Sequence, residues 1–201
     1  GGKFDWTSGK FPEFTEPDPS YHGTVYADYG APAYIIKCRM QLMRDFGSIQ
    51  SPQNAFYLNL GLESLHVRVP QHCKNARAVA EFLSTSDKVA SVRYPDLPGD
   101  PYHKLAEKYL PNGSCGVVSF EVAGGREAAE RFMAGLRVFA IETHVADARS
   151  CCLHPASSTH RQMTNDELVA AGISPAMVRM SCGIEGTDDL VADVEQALAR
   201  V

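Results

Sequence analysis

The spacing of apolar positions divides this chain into three stretches. Up to about residue 31 there is no period: "FDWTSGKFPEFTEPDPSYHGTVYADYG" interleaves prolines, glycines and turn formers with Phe4, Trp6, Phe11, Phe14, Tyr21, Tyr26 and Tyr29. Such turn chemistry rules out a regular element. The aromatics are too many for a solvated tail, so this segment is expected to lie on a surface that need not belong to the chain.

A helical period follows. "PAYIIKCRMQLMRDFG" spaces Ile35, Ile36, Met40 and Met43 helically between Pro32 as starter and Gly47 as stop. "SPQNAFYLNLGLESLHVRV" opens with Ser51 as N-cap and Pro52 at the first helical position, with Phe56, Leu60 and Leu65 recurring. "QHCKNARAVAEFLSTSD" continues through Cys73, Ala76, Val79, Ala80 and Leu83. Pro70 is expected to kink or break this run, because it lacks an N–H and its ring crowds the preceding turn.

From residue 88 onward short elements alternate. "KVASVRYP", "CGVVSFEVAG", "RVFAIETH", "SCCLHP" and "AMVRMSCGI" read as strands. "DPYHKLAEKYLP", "GREAAERFMAGL", "TNDELVAAGI" and "TDDLVADVEQALARV" read as helices, the last two capped by Thr164 and Thr187. The order β-α-β-α-β-β-α-β-α describes an open sheet with helices on one face, an α+β domain.

Composition narrows the function classes. A net charge of −5 argues against nucleic-acid and anionic-membrane partners, which need a basic face. No apolar run approaches the roughly 18 residues that span a bilayer. "GGKFDWTSGKFPEF" has no apolar core of the signal-peptide kind. Cys38, Cys73, Cys115, Cys151, Cys152 and Cys182 form no C-x-x-C and read as free thiols in a reducing compartment, the cytoplasm.

The stretch with most chemical potential is "HPASSTH", His154 to His160. Its histidines flank a proline and share no helix face, and no second ligand pair is near, so no metal site is expected. A Ser or Cys hydrolase lacks support, since there is no G-x-S-x-G elbow and Cys151-Cys152 lies within a strand. An anion site remains. Arg179, between Val178 and Met180 in an apolar strand, alternates to the opposite face from those neighbours. Two roles are open: an edge-of-sheet ion pair with an acid such as Glu185, or a bidentate clamp on a carboxylate.

Five segments in one order now carry a resemblance: "FDWTSGKFPEFTEPDPSYHG", "SPQNAFYLNLGLESL", "YPDLP", "DARS" with "LHPASSTH", and "VRMSCGIEGTDDLVADVEQAL". Together they closely resemble the C-terminal half of the pyridoxal-phosphate enzymes of cysteine and methionine metabolism. Among those, they are most similar to the O-acetylhomoserine sulfhydrylase (homocysteine synthase) group. The resemblance implies an α/β, fold-type I architecture whose small α+β C-terminal domain has an open, mostly antiparallel sheet covered by helices. Residues 1–50 would be the tail of the large cofactor domain, 51–87 a long interdomain helical segment and 88–201 the small domain.

The implied reaction is replacement of the acetate of O-acetylhomoserine by sulfide or a thiol, giving homocysteine or methionine. The implied cofactor is pyridoxal 5'-phosphate. Its Schiff-base lysine is expected in a Ser-x-Thr-Lys segment upstream of Gly1. None of Lys3, Lys10, Lys37, Lys74, Lys88, Lys104 and Lys108 follows such a motif, so this chain alone is expected to be inactive and to bind no cofactor covalently.

Carried over by motif, Arg179 would bind the substrate's α-carboxylate and Thr159 would help fix that arginine. His144 and Val145 would approach the carboxylate with their backbone. The family usually has Asn or Ser at position 144 and Gly where Ala146 stands, which leaves substrate specificity open. A homo-oligomer, dimer or tetramer, is implied. Rival readings are a cystathionine or methionine γ-lyase, a cystathionine γ-synthase, or a non-catalytic assembly module.

Overall fold

The computed structural model describes residues 4–201. Their contacts form two compact units, one up to Leu60 and one from Gly61 to Val201.

In the first unit, where no regular element was expected, a one-turn helix α1 (Pro12–Thr15) and two 3-10 turns (Pro19–Tyr21 and Tyr26–Tyr29) precede α2 (Ala33–Lys37), since Pro12 and Pro19 at first helical positions start single turns that the following turn formers end. That helix widens into a π turn (Cys38–Met43) and closes as α3 (Arg44–Phe46), ending at Gly47 with φ +65°. A left-handed residue there is what glycine supplies without a Cβ penalty. The aromatics of the irregular segment find one another, so part of the surface they pack on lies within the chain. Trp6 stacks on Phe14 at 4.1 Å, and Phe14, Tyr26 and Ala33 form a small buried core. Phe4 and Tyr29 do stay half exposed. Asp18 ties the turn to the helix: it accepts from Ser20 and Gln41 and pairs with Lys37 at 3.3 Å.

The helical run 52–84 breaks at Ser64, into α4 (Pro52–Glu63) and α5 (Leu65–Ser84), whereas Pro70 sits inside α5. The expected break is therefore displaced. Pro70 lies near the helix start, where its missing N–H removes one early bond and leaves the remaining turns intact. Ser51 caps α4 through Asn54 N–H at 3.1 Å, as its position suggested.

The second unit is a five-stranded sheet in the order β1-β2-β5-β4-β3, with β1 (Val89–Arg93), β2 (Val117–Val122), β3 (Ala140–Ile141), β4 (Cys151–Leu153) and β5 (Met177–Ser181). Only β3 and β4 run parallel. Helices α5, α7 (Gly125–Gly135) and α9 (Thr187–Leu198) supply a core with Val118, Phe120, Val122, Cys152, Val178, Met180 and Cys182 of the sheet region. Because side chains alternate along a strand, all of these lie on one face. Two shorter helices, α6 (His103–Tyr109) and α8 (Asn165–Ala170), complete the unit. The last of these is held by a full Thr164–Glu167 capping box.

Two sequence expectations shift here. The strand expected over "RVFAIETH" shrinks to two residues, since Arg137, Val138 and Phe139 give their N–H groups to the Asp193 carboxylate rather than to a neighbouring strand. Thr187 is the first helical residue of α9 and Gly186 its cap, because the threonine hydroxyl donates to Asn75 at 2.7 Å.

Candidate functional site

Strand β5 occupies the middle of the sheet. With Val178, Met180 and Cys182 committed to the core, Arg179 and Ser181 face away from the helices. In register, Arg179 stands between Ser119 of β2 and Leu153 of β4. An edge-of-sheet ion pair with Glu185 is thereby overturned: the strand is interior, and Glu185 is engaged by the N–H and hydroxyl of Ser150 at 2.7 and 2.8 Å. Among the described residues Arg179 makes no ion pair. Its Nη2 donates to the Thr143 carbonyl at 3.1 Å, which leaves most of the guanidinium fork for a ligand.

The loop that meets Arg179 runs from Glu142 to Ser150 and is pinned at several points to the end of β5. Ala146 N–H donates to Ser181 Oγ at 3.1 Å, and Ile184 N–H to the Ala148 carbonyl at 2.9 Å. The Gly183 N–H reaches Ser150 Oγ at 2.7 Å. A Cβ on Gly183 would run into the backbone of Ala148 and Arg149, which explains the glycine in "SCGIEG" by close approach. Ala146 is left-handed at φ +59°, a conformation costly for alanine.

The flanking His144 and Val145 are exposed on this loop. His144 Nδ1 lies 3.5 Å from Asp147 and 3.7 Å from Glu142. Asp147 is held below the usual carboxylate range, first by the Arg149 backbone N–H and then by His144. Thus the structure brings Arg179 onto the backbone immediately before His144.

"HPASSTH" forms a 3-10 turn, Pro155–Ser157, packed against β5. His154 is buried between Ser157 Oγ and the Pro175 carbonyl, both at 2.8 Å. A carbonyl only accepts, so Nε2 bears the proton and, in the neutral ring, Nδ1 accepts from Ser157. Thr159 is exposed, and its hydroxyl meets His160 Nδ1 at 2.9 Å rather than Arg179. The carbonyl touching the arginine belongs to Thr143, a residue that sequence reasoning did not single out. Ser181 was missed as well. The available signal was its place two residues after Arg179, on the same face of the strand.

Other chemistries find little here. Burial pushes the thiols of Cys73, Cys151, Cys152 and Cys182 up, Cys182 to about 12, so none of these is an activated nucleophile. Among the described residues no His, Cys, Asp and Glu group has metal-holding geometry, and no helix is long and apolar enough to cross a membrane. Lys10, Lys74, Lys104 and Lys108 are exposed, Lys37 is paired with Asp18, and Lys88 donates to the Leu198 and Val201 carbonyls. The described residues therefore fit a carboxylate.

A family model described as "Cys/Met metabolism PLP-dependent enzyme" matches residues 23–199. An O-acetyl-L-homoserine sulfhydrylase of Leptospira meyeri is 43% identical, over 100% of this chain and 48% of its own length. A homocysteine synthase of Schizosaccharomyces pombe is 42% identical over 98% of this chain and 47% of its own. A solved Campylobacter jejuni structure, named an O-acetylhomoserine (thiol)-lyase and carrying a pyridoxyl-lysine phosphate, superposes with a TM-score of 0.83. It is 40% identical, over 94% of this chain and 45% of that one. The chain spans about half the length of the curated relatives it matches.

Proposed function

Because the chain belongs to the Cys/Met metabolism PLP-dependent enzyme family, we propose that it carries the substrate-carboxylate side of an O-acetylhomoserine sulfhydrylase. The overall reaction would replace acetate at Cγ by sulfide or a thiol, yielding homocysteine or methionine. The names of the relatives support this choice within the family. Pyridoxal phosphate, when bound, supplies an electron sink for charge developing on the substrate. No proton step is assigned to this chain, whose share is binding and orientation.

The single observation carrying the proposal is Arg179: a guanidinium on the open face of a central strand, without a carboxylate partner among the described residues. Its planar fork matches a carboxylate bidentately, and a fixed carboxylate fixes the rest of a small amino acid. In this reading the His144 and Val145 backbone and Thr159 line the same site. Residues 1–50, 51–87 and 88–201 serve as tail of the cofactor domain, connecting helical segment and small domain. The active protein is a homo-oligomer, and its six free thiols fit a reducing cytoplasm.

In the full-length protein, Arg179→Ala should raise KM for O-acetylhomoserine about a hundredfold, the cost of removing one partner of a charge-assisted pair, while the cofactor's absorbance persists. A KM close to wild type sinks the assignment. Product analysis with O-acetylhomoserine and sulfide identifies homocysteine. Turnover of methionine or formation of cystathionine instead would move the protein to a sister activity.

A further inference from the structure

Arg179 and Ser181 lie two residues apart on the same face of β5. Both reach the same loop, Arg179 through the Thr143 carbonyl at 3.1 Å and Ser181 through the Ala146 N–H at 3.1 Å. Between those two anchors stand His144 and Val145. Ser181 is 3% exposed, in register with Val117 and Cys151 on the neighbouring strands. A hydroxyl in such a position is costly unless it bonds, and the loop amide is the partner it finds. The residue that donates this bond, Ala146, is left-handed at φ +59°. Without the bond, the strain at an alanine would favour release of the loop toward an ordinary conformation.

We propose that Ser181 is a positioning residue of the carboxylate site: its hydroxyl, through Ala146 N–H, sets where the Thr143–Val145 backbone stands relative to the Arg179 guanidinium. Strand and loop then act as one clamp, since a single rigid strand carries both anchors. The proposal rests on Arg179 being the carboxylate ligand. It extends that reading to a residue that touches no substrate.

The test compares full-length wild type with S181A, S181T and R179A, each assayed with O-acetylhomoserine and with its α-carboxamide analogue. The readout is the ratio of the two KM values, which a merely structural loss of stability would not move. S181A should lower this preference for the carboxylate about three- to tenfold, the loss of one neutral hydrogen bond. S181T, which keeps the hydroxyl, should restore it. Amide hydrogen exchange at Ala146 should quicken at least about tenfold in S181A, with β5 still protected. Should S181A not fold, S181C, near serine in volume, gives the same comparison. An R179A enzyme that keeps its preference overturns the carboxylate-site reading and this proposal with it. If R179A loses the preference while S181A keeps it, or if S181T loses it as far as S181A, the proposal alone falls.

Discussion

Ala146 shows what one residue contributes here. Its φ of +59° costs an alanine roughly 1 kcal/mol that a glycine escapes, although glycine also gains freedom in the unfolded chain. Ala146→Gly should therefore raise stability modestly, by about 0.5 kcal/mol, in thermal or urea unfolding. A clear loss would mean that the residue is not held left-handed. The buried thiols give a second expectation. Cys182 is pushed up to about 12 by burial, whereas an unfolded thiol titrates near 8.5. Above about pH 8.5 the unfolded chain sheds a proton that the folded one retains, so the stability present below that pH is lost as pH rises toward 12. Melting temperatures from about pH 8 to 11 should fall, and less steeply in Cys182→Ala. An equal slope in both would assign the fall to other groups. Cys38 and Cys115, the partly exposed thiols, should react first with a thiol reagent.

Between elements, the decisive contact is made by Asp193 of α9. Its buried carboxylate accepts from the N–H groups of Arg137, Val138 and Phe139 at 2.8, 2.9 and 3.1 Å, fastening the helix to the approach to β3. Asp193→Ala leaves those donors without an acceptor and should cost about 2–4 kcal/mol. Asp193→Asn, which keeps one acceptor oxygen, should cost less. Equal stability of both variants with wild type would show that water replaces the carboxylate. The aspartate was invisible as an anchor in "TDDLVADVEQAL", where it reads as one more acid on a helix. The strand expected over "RVFAIETH" was lost for the same cause, since pattern and propensity do not reveal a donor's competing acceptor. Pro70 illustrates the opposite case, a local rule applied correctly in kind and displaced in position, with the break falling at Ser64.

At the scale of the whole molecule, α4 is the unfinished part. Phe56, Tyr57, Leu58, Leu60 and Leu62 are each more than half exposed, spread over about two thirds of the helix circumference. Exposed apolar surface of this extent promotes association. The chain on its own should therefore sediment as a concentration-dependent oligomer, and Phe56→Gln with Leu58→Gln should shift it toward monomer. A chain that stays monomeric at high concentration would contradict this. In the sequence the recurrence of Phe56, Leu60 and Leu65 gave the helix but not this exposure, because spacing reports periodicity and not what covers each face.

The sequence by itself determined the helices, the approximate strands and the side of β5 on which Arg179 emerges. Those features follow from contacts two to four residues apart, whose repeat is written in the chain. Its motifs also determined the family. Only the tertiary structure decided that Arg179 meets the Thr143 carbonyl, that Glu185 serves Ser150, and that Ser181 holds Ala146 from 35 residues away. Such bonds depend on strand register and loop path together, and no local period encodes either.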